Sequence, residues 1–241
     1  MKFAAIADVH GNCDALEAVL ADIAAAGITE IVNLGDHASG PLEPRRTADV
    51  LMARGFSSIS GNQDRILVEK RAHLGRPFTW LDDSHLEWLA AMPPTLLYRG
   101  EVFLCHGTPR DDEAYWLDRV TGNGTIAAAP IEEVEAEANG VFASLILCGH
   151  THIPRVVRLR DGRLIVNAGS VGCPGYRGTT PVEHVVETGT PDACYANLER
   201  AAEVWRATIR YVPYDNMRMA DLAARNGRPE WASALATGWV R

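Results

Sequence analysis

Asp8, His10, Asp36, Asn62, His106, His150 and His152 are the side chains whose types and placement could do chemistry. Carboxylate, imidazole and amide donors are the groups that hold divalent transition-metal ions. Each stands beside or near a glycine where a short apolar run stops. Asp8-Val9-His10-Gly11 follows residues 3–7, Gly35-Asp36 follows 30–34, and Gly61-Asn62 follows 56–60. His106-Gly107 follows 102–105, and Gly149-His150-Thr151-His152 follows 144–148. Singly, each piece reads as an ordinary turn or helix cap. Together they have no ordinary packing explanation, because clustered buried carboxylates repel one another without a cation between them.

The elements that must position these residues are legible from apolar runs and glycine stops. Residues 3–7, 30–34 and 56–60 read as strands, with helices between them. The first helix has Asp14 and Glu17 at capping-box spacing and an apolar face of Leu16, Val19, Leu20 and Ile23, with Gly27 as its stop. The second spans about 44–54. This β-α-β-α-β order predicts a largely parallel arrangement, in which ligands sit at the carboxyl ends of the strands. Further on, 84–91 reads as a helix, 96–98 and 102–105 as a hairpin, 111–129 as a surface excursion and 131–138 as an acidic helix. Strands follow at 144–148, 156–159, 164–166, 195–198 and 204–212, then a helical tail from about 216 with no evident chemistry. No linker or repeat interrupts the chain, so residues 1–241 are expected to form one domain.

Composition narrows the function classes. The 241 residues are 47% hydrophobic and 22% charged, which excludes a disordered chain. Lys plus Arg number 23 and Asp plus Glu 31, a formal charge of −8, so no duplex nucleic-acid partner is expected. The odd set of Cys13, Cys105, Cys148, Cys173 and Cys194 shows no CxxC pair and is expected to be reduced thiol. The apolar run at 3–7 is too short for a signal-peptide core, and no run approaches a bilayer span. The expectation is a cytoplasmic protein with no membrane partner.

The five blocks, in this order, resemble the calcineurin-like metallophosphoesterase superfamily. Its pattern is Asp-x-His, Gly-Asp, Gly-Asn-His-(Asp/Glu), a His before Gly, and Gly-His-x-His. The chain carries Asp8-Val9-His10, Gly35-Asp36, Gly61-Asn62-Gln63-Asp64, His106-Gly107 and Gly149-His150-Thr151-His152. Asn167-Ala168-Gly169-Ser170-Val171-Gly172 extends the similarity, and His106-Gly107-Thr108-Pro109 is similar to small bacterial and archaeal phosphodiesterases of that superfamily. The resemblance implies an α/β (α+β) fold, two mixed β-sheets in a sandwich flanked by helices. It implies two divalent transition-metal ions, Mn first, with Fe, Zn or Ni as alternatives. Asp8, His10 and His152 would hold one ion, Asn62, His106 and His150 the other, and Asp36 would bridge. The implied reaction is hydrolysis of a small phosphate-ester substrate by in-line attack of a metal-bridging hydroxide. Asn12, Asp64 and Asn167 are expected to support the ligands or touch substrate.

Two departures bear on mechanism. Gln63 stands where the family has the histidine commonly assigned as proton donor to the leaving group, and an amide cannot deliver that proton. The Gly-Asp block is one residue shorter and places His37 beside Asp36, so His37 is a candidate replacement acid. Asn62, Gln63 and His37 are therefore the catalytic candidates. The leading expectation is a phosphodiesterase. The alternatives are a phosphomonoesterase or protein phosphatase on the same metals, or a non-catalytic scaffold of the same fold, which intact ligands disfavour. Arg65 and Arg110 read as paired surface groups, His73, His85 and His184 as surface histidines, and the tryptophans as packing, with Trp116 the one to watch.

Overall fold

The computed structural model describes residues 1–69 and 80–241; His73 lies outside the described residues. Its centre is strand β1 (Lys2–Ile6), whose residues after Lys2 are all buried. Alternate side chains of a strand face opposite ways. Phe3 and Ala5 accordingly enter the cluster between two sheets, while Ala4 and Ile6 pack under helix α1 (Cys13–Ala25) with Leu16, Val19, Leu20 and Ile23. Burial on both faces explains why the run is continuously apolar rather than alternating.

The first sheet has the order β14-β13-β1-β2-β3. β1 runs parallel to β2 (Ile31–Asn33), and β2 parallel to the two-residue β3 (Ser57–Ser58). β13 (Ala193–Ala201) pairs antiparallel with β1 and forms a long hairpin with β14 (Val204–Val212). The second sheet has the order β4-β5-β8-β10-β9. Here β5 (Val102–Leu104), β8 (Leu145–Cys148) and β10 (Leu164–Asn167) are parallel, flanked antiparallel by β4 (Leu96–Tyr98) and β9 (Arg155–Arg158). Leu104, Leu145, Leu147 and Val166 meet Phe3, Val32 and Leu198 in one core. Ile146 and Ile165 face the other way, onto Val134 of α5 (Ile131–Glu137). The molecule is therefore two mixed sheets in a sandwich with helices outside, as the sequence implied.

The remaining elements frame the strand ends. Helix α2 (Pro44–Arg54) closes on Gly55 in the left-handed region, and α3 (Asn62–Glu69) starts directly after β3. Helix α4 (Asp83–Ala90) carries a true capping box from Asp82 and His85. The stretch 111–129 contains a hairpin of β6 (Asp118–Val120) and β7 (Ile126–Ala128), more ordered than the expected excursion. A second hairpin, β11 (Gly175–Gly178) with β12 (His184–Glu187), occupies a stretch for which the sequence pattern predicts no element. Helices α6 (Asn216–Arg225) and α7 (Pro229–Thr237) pack together around Leu42, Met219 and Leu235. No described helix is long and apolar enough to cross a membrane.

The start of α1 differs from expectation. Its cap is Asn12, whose Oδ1 accepts the Ala15 N–H at 3.1 Å. Asp14 and Glu17 instead accept hydrogen bonds from Arg46, and Asp14 also from Arg218. His85 is buried rather than exposed, with its two ring nitrogens facing Asp49 and Asp82.

Candidate metal centre

Strands β1, β2, β5 and β8 end side by side, and the residues just beyond them converge. The Nε2 atoms of His152, His10 and His106 lie 3.3, 3.7 and 3.9 Å from Asp8 Oδ1. That oxygen is buried and has no hydrogen-bond partner. Asp36 Oδ2 stands between two of the rings, 3.6 Å from His10 Nε2 and 3.5 Å from His106 Nε2. Asn62 Oδ1 is 3.2 Å from His106 Nε2. Two ligand groups result, Asp8 with His10 and His152, and Asp8 with Asp36 and His106.

The outer ring nitrogens fix the tautomers, because a carbonyl oxygen can only accept. His106 Nδ1–H donates to the Leu34 carbonyl at 2.7 Å, and His152 Nδ1–H to that of Cys173 at 2.6 Å. Their Nε2 atoms are left facing the carboxylates. His150 is turned the other way: its Nε2–H donates to the Glu113 carbonyl at 2.8 Å, leaving Nδ1 as its lone-pair nitrogen. His10 Nδ1 meets Ser39 Oγ at 2.8 Å, and its Nε2 lies 3.1 Å from His152 Nε2. Two imidazole nitrogens that close need a cation or a shared proton between them.

The electrostatics agree. Burial works to raise the Asp36 carboxyl, but His106 and His10 hold it down at about 2. Burial opposes a charge on His106, yet Asp36 and Asp8 outweigh it and raise that imidazole to about 10. His150 goes the other way, to about 4, through burial and the neighbouring His106 cation. Carboxylates that hold a proton so firmly on an imidazole present the field that a divalent cation takes up in its place. The donor set, the orphaned Asp8 oxygen and the facing nitrogens all fit metal.

Backbone strain marks the same residues. Asp8, His10, Asp36, His150 and His152 have φ of 53°, 49°, 57°, 68° and 60°, in the left-handed region that side chains other than glycine avoid. Among the described residues other than glycine, only Arg99, Ala202 and Glu203 share it. Gly61 permits the tightest approach: a Cβ there would lie 2.2 Å from Asp36 Oδ1. That same oxygen accepts the Gln63 N–H at 2.9 Å.

Residues 1–189 match the calcineurin-like phosphoesterase superfamily domain. The chain belongs to that superfamily. It is 24% identical to uncharacterized protein MJ0912 of Methanocaldococcus jannaschii, over 95% of this chain and 94% of the relative. Its structure is similar to that of a metallophosphoesterase from Sphaerobacter thermophilus, with a TM-score of 0.76, 25% identity and coverage of 99% and 100% of the two chains. It shares the fold of hypothetical protein PH1004 from Pyrococcus horikoshii, with a TM-score of 0.74, 20% identity and coverage of 100% and 99%.

The candidate metal site is braced by three of the residues singled out in the sequence. Asp64 accepts four hydrogen bonds, from the N–H groups of Asp36, Gly61 and His37 and from His37 Nδ1–H. Asn167 Nδ2 donates to the Gly149 carbonyl at 2.6 Å and to Thr151 Oγ1 at 3.1 Å, which holds the His150–His152 turn. Asn12, besides capping α1, donates to the Gly172 carbonyl and to Tyr214 Oη; it is fully buried and off the cavity. His37 requires a correction as acid. It too is fully buried, its ring set between Asp64 and Trp88, because adjacent residues in the turn after β2 face opposite ways. Asp36 takes the cavity side and His37 the core side.

The open side of the site is a cavity of about 430 Å³ that reaches His10, Asp36, Asn62, Gln63, His150 and His152. Its other walls include residues that no motif announced, among them Tyr115, Tyr176, Arg177, His184, Arg228 and Trp231. Tyr176 packs edge-on to the His152 ring at 4.7 Å, Tyr115 to His150 at 5.3 Å, and the two phenols are hydrogen-bonded. His184 is buried, not exposed; Tyr115 Oη meets its Nε2 at 2.9 Å, and its Nδ1–H donates to the Val182 carbonyl. Trp116 is core, with its N–H on the Val134 carbonyl. Arg65 and Arg110 are tied to Asp112 and Glu137.

Proposed function

We propose that this phosphoesterase is a dinuclear metal-dependent phosphodiesterase acting on a small phosphate ester. One observation carries the reading: Asp36 Oδ2 lies nearly equidistant from His10 Nε2 and His106 Nε2, at 3.6 and 3.5 Å, beside an unpartnered Asp8 oxygen. Asp8, His10 and His152 would hold one ion, Asn62, His106 and His150 the second, with Asp36 shared. The mixed oxygen and imidazole donors favour Mn, with Fe, Zn or Ni as alternatives. Bound there, such ions supply Lewis-acid polarisation of phosphoryl oxygens and acidify water.

The chain's own groups do the rest. The N–H of Gln63 orients Asp36 and that of His150 orients Asp8, at 2.9 and 3.1 Å. The Gln63 amide is a hydrogen-bond donor for a phosphoryl oxygen but holds no transferable proton. With His37 sealed in the core, the leaving group lacks the imidazole acid familiar in the family. A positioned general acid contributes about 10²- to 10⁴-fold, and most for poor leaving groups. This supports diesters with good leaving groups over alkyl monoesters. The five cysteines are free and buried, in keeping with a reducing, cytoplasmic setting.

The test is metal analysis and hydrolysis on chelated, Mn-reconstituted protein, with bis(4-nitrophenyl) phosphate and 4-nitrophenyl phosphate as substrates. Two ions per chain, chelation-sensitive turnover and faster cleavage of the diester are expected. Turnover that survives both chelation and Asp36→Asn refutes the metal reading, and faster monoester cleavage refutes the diesterase reading.

A further inference from the structure

We infer that the C-terminal helical segment is a substrate-recognition element. In this reading Arg228 forms an anion subsite for a second phosphate group carried by the phosphodiester. The inference rests on the phosphodiesterase reading and adds a substrate class to it, diesters bearing an additional phosphate.

The superfamily match ends at residue 189, yet Arg228 and Trp231 line the cavity that the metal ligands open into. The Trp231 indole packs against the His10 ring, with centroids 5.9 Å apart at 78°. It also covers Gly40 so closely that a Cβ there would lie 3.1 Å from its Cη2. The guanidinium of Arg228 lies over that indole, 5.7 Å from the centroid, and its Nε–H donates to Glu230 Oε1 at 2.5 Å. An arginine held over an aromatic face and by one carboxylate is oriented before any ligand arrives.

Its two terminal nitrogens have no hydrogen-bond partner among the described residues, and it makes no ion pair with Asp8 or Asp36. The cavity wall carries two arginines, Arg177 and Arg228, and of these Arg228 is the one oriented over Trp231, whereas Arg65 lies off the cavity and is tied to Asp112 and Glu113. Arg228 is a fork of free donors at the wall of a cavity of about 430 Å³, a volume in the range of small-molecule sites. A planar fork of this kind matches a phosphate dianion. Because the guanidinium rests on Trp231 rather than on the ligand cluster, the anion it serves is a second one, not the phosphorus under attack.

Two measurements test this. Titration calorimetry of thymidine 3′,5′-bisphosphate against thymidine 5′-phosphate needs no turnover, so it stands even if the phosphodiesterase reading fails. The bisphosphate is expected to bind about tenfold more tightly to the native chain, as a charge-assisted pair predicts. Arg228→Ala is expected to bind the two ligands equally, and Arg228→Lys to fall between. In turnover, the ratio of kcat/KM for the 5′-(4-nitrophenyl) ester of thymidine phosphate with and without a 3′-phosphate should fall about tenfold in Arg228→Ala. Ratios taken on one preparation cancel any general loss of folded protein. Equal binding of both ligands by the native chain, or a preference that survives Arg228→Ala, overturns the inference. So does a substitution that slows both esters equally, since that marks a contact to the scissile phosphate.

Discussion

Replacing Asp64 by Asn should destabilise the protein far more than its single lost charge suggests. Oδ2 accepts from the Asp36 N–H at 2.8 Å, the Gly61 N–H at 3.0 Å and His37 Nδ1–H at 2.7 Å, while Oδ1 accepts the His37 N–H at 3.0 Å. Every neighbour donates, and the site is fully buried. An amide offers only one acceptor oxygen, so its NH2 must face at least one of these donors. Orphaning one buried N–H costs about 1–3 kcal/mol, and each remaining bond loses roughly 1 kcal/mol of charge assistance. Within one network these terms overlap, and breaking a buried pair gives about 3–5 kcal/mol. At about 2–4 °C per kcal/mol for a chain this size, the midpoint should drop roughly 6–20 °C. Thermal and denaturant unfolding in excess chelator are the assays, so that bound cation does not mask the change. Asp14→Asn, in the partly exposed network with Arg46 and Arg218, is the control and should cost about 1 kcal/mol or less. A change below about 1 kcal/mol for Asp64→Asn would refute the reasoning.

Other outcomes follow from the same geometry. Gly61→Ala should displace Asp36, whose Oδ1 would lie 2.2 Å from the new methyl carbon, and reduce the metal content by at least one ion per chain. A full complement by metal analysis would contradict it. Gln63→His should raise turnover of alkyl monoesters about 10²-fold or more and change aryl diesters little; equal effects on both would count against the missing-acid argument. His37→Ala should lower the unfolding midpoint by removing the Asp64 partner, with no selective loss of poor leaving groups in the same kinetic panel. Mn added in hundredfold excess over its Kd should raise stability by about 2.7 kcal/mol per ion bound, about 5.4 kcal/mol for two, read by thermal unfolding with and without chelator.

What the sequence made legible is what is set locally. Phe3 to Ala7 is apolar throughout because both faces of β1 are covered, and the glycines at 35, 61 and 149 mark where the chain must turn beside crowded groups. The convergence of Asp8, Asp36 and His106 followed from strand ends alone. The cap of α1 is not the Asp14–Glu17 pair that the spacing suggests, and only the link of Asn12 to Gly172 and Tyr214 shows why the helix starts two residues earlier. The hairpin with Tyr176 and His184 was invisible: Gly175–Gly178 has no apolar alternation to read. Trp231 meets His10 across the whole length of the chain, a tertiary contact that no window of sequence contains.

The cost of this arrangement explains its location. Five left-handed residues at on the order of 1–3 kcal/mol each approach the entire net stability of an ordinary domain. Two buried carboxylates, Asp8 and Asp36, add to it. Such strain persists only where the surroundings over-determine the backbone. Here it sits beyond the ends of β1, β2 and β8, whose side chains help form the core between the sheets, so relaxing one turn would mean shifting a packed strand. The hydrogen bonds of Asp64 and Asn167 then lock the turns to one another rather than to solvent. Ligands held this way are aimed before a cation arrives, so binding need not supply the entropy of ordering them. The same rigidity leaves an unneutralised Asp8–Asp36 pair nowhere to relax. The fold is thus strained, and in need of a cation, just where its core strands end.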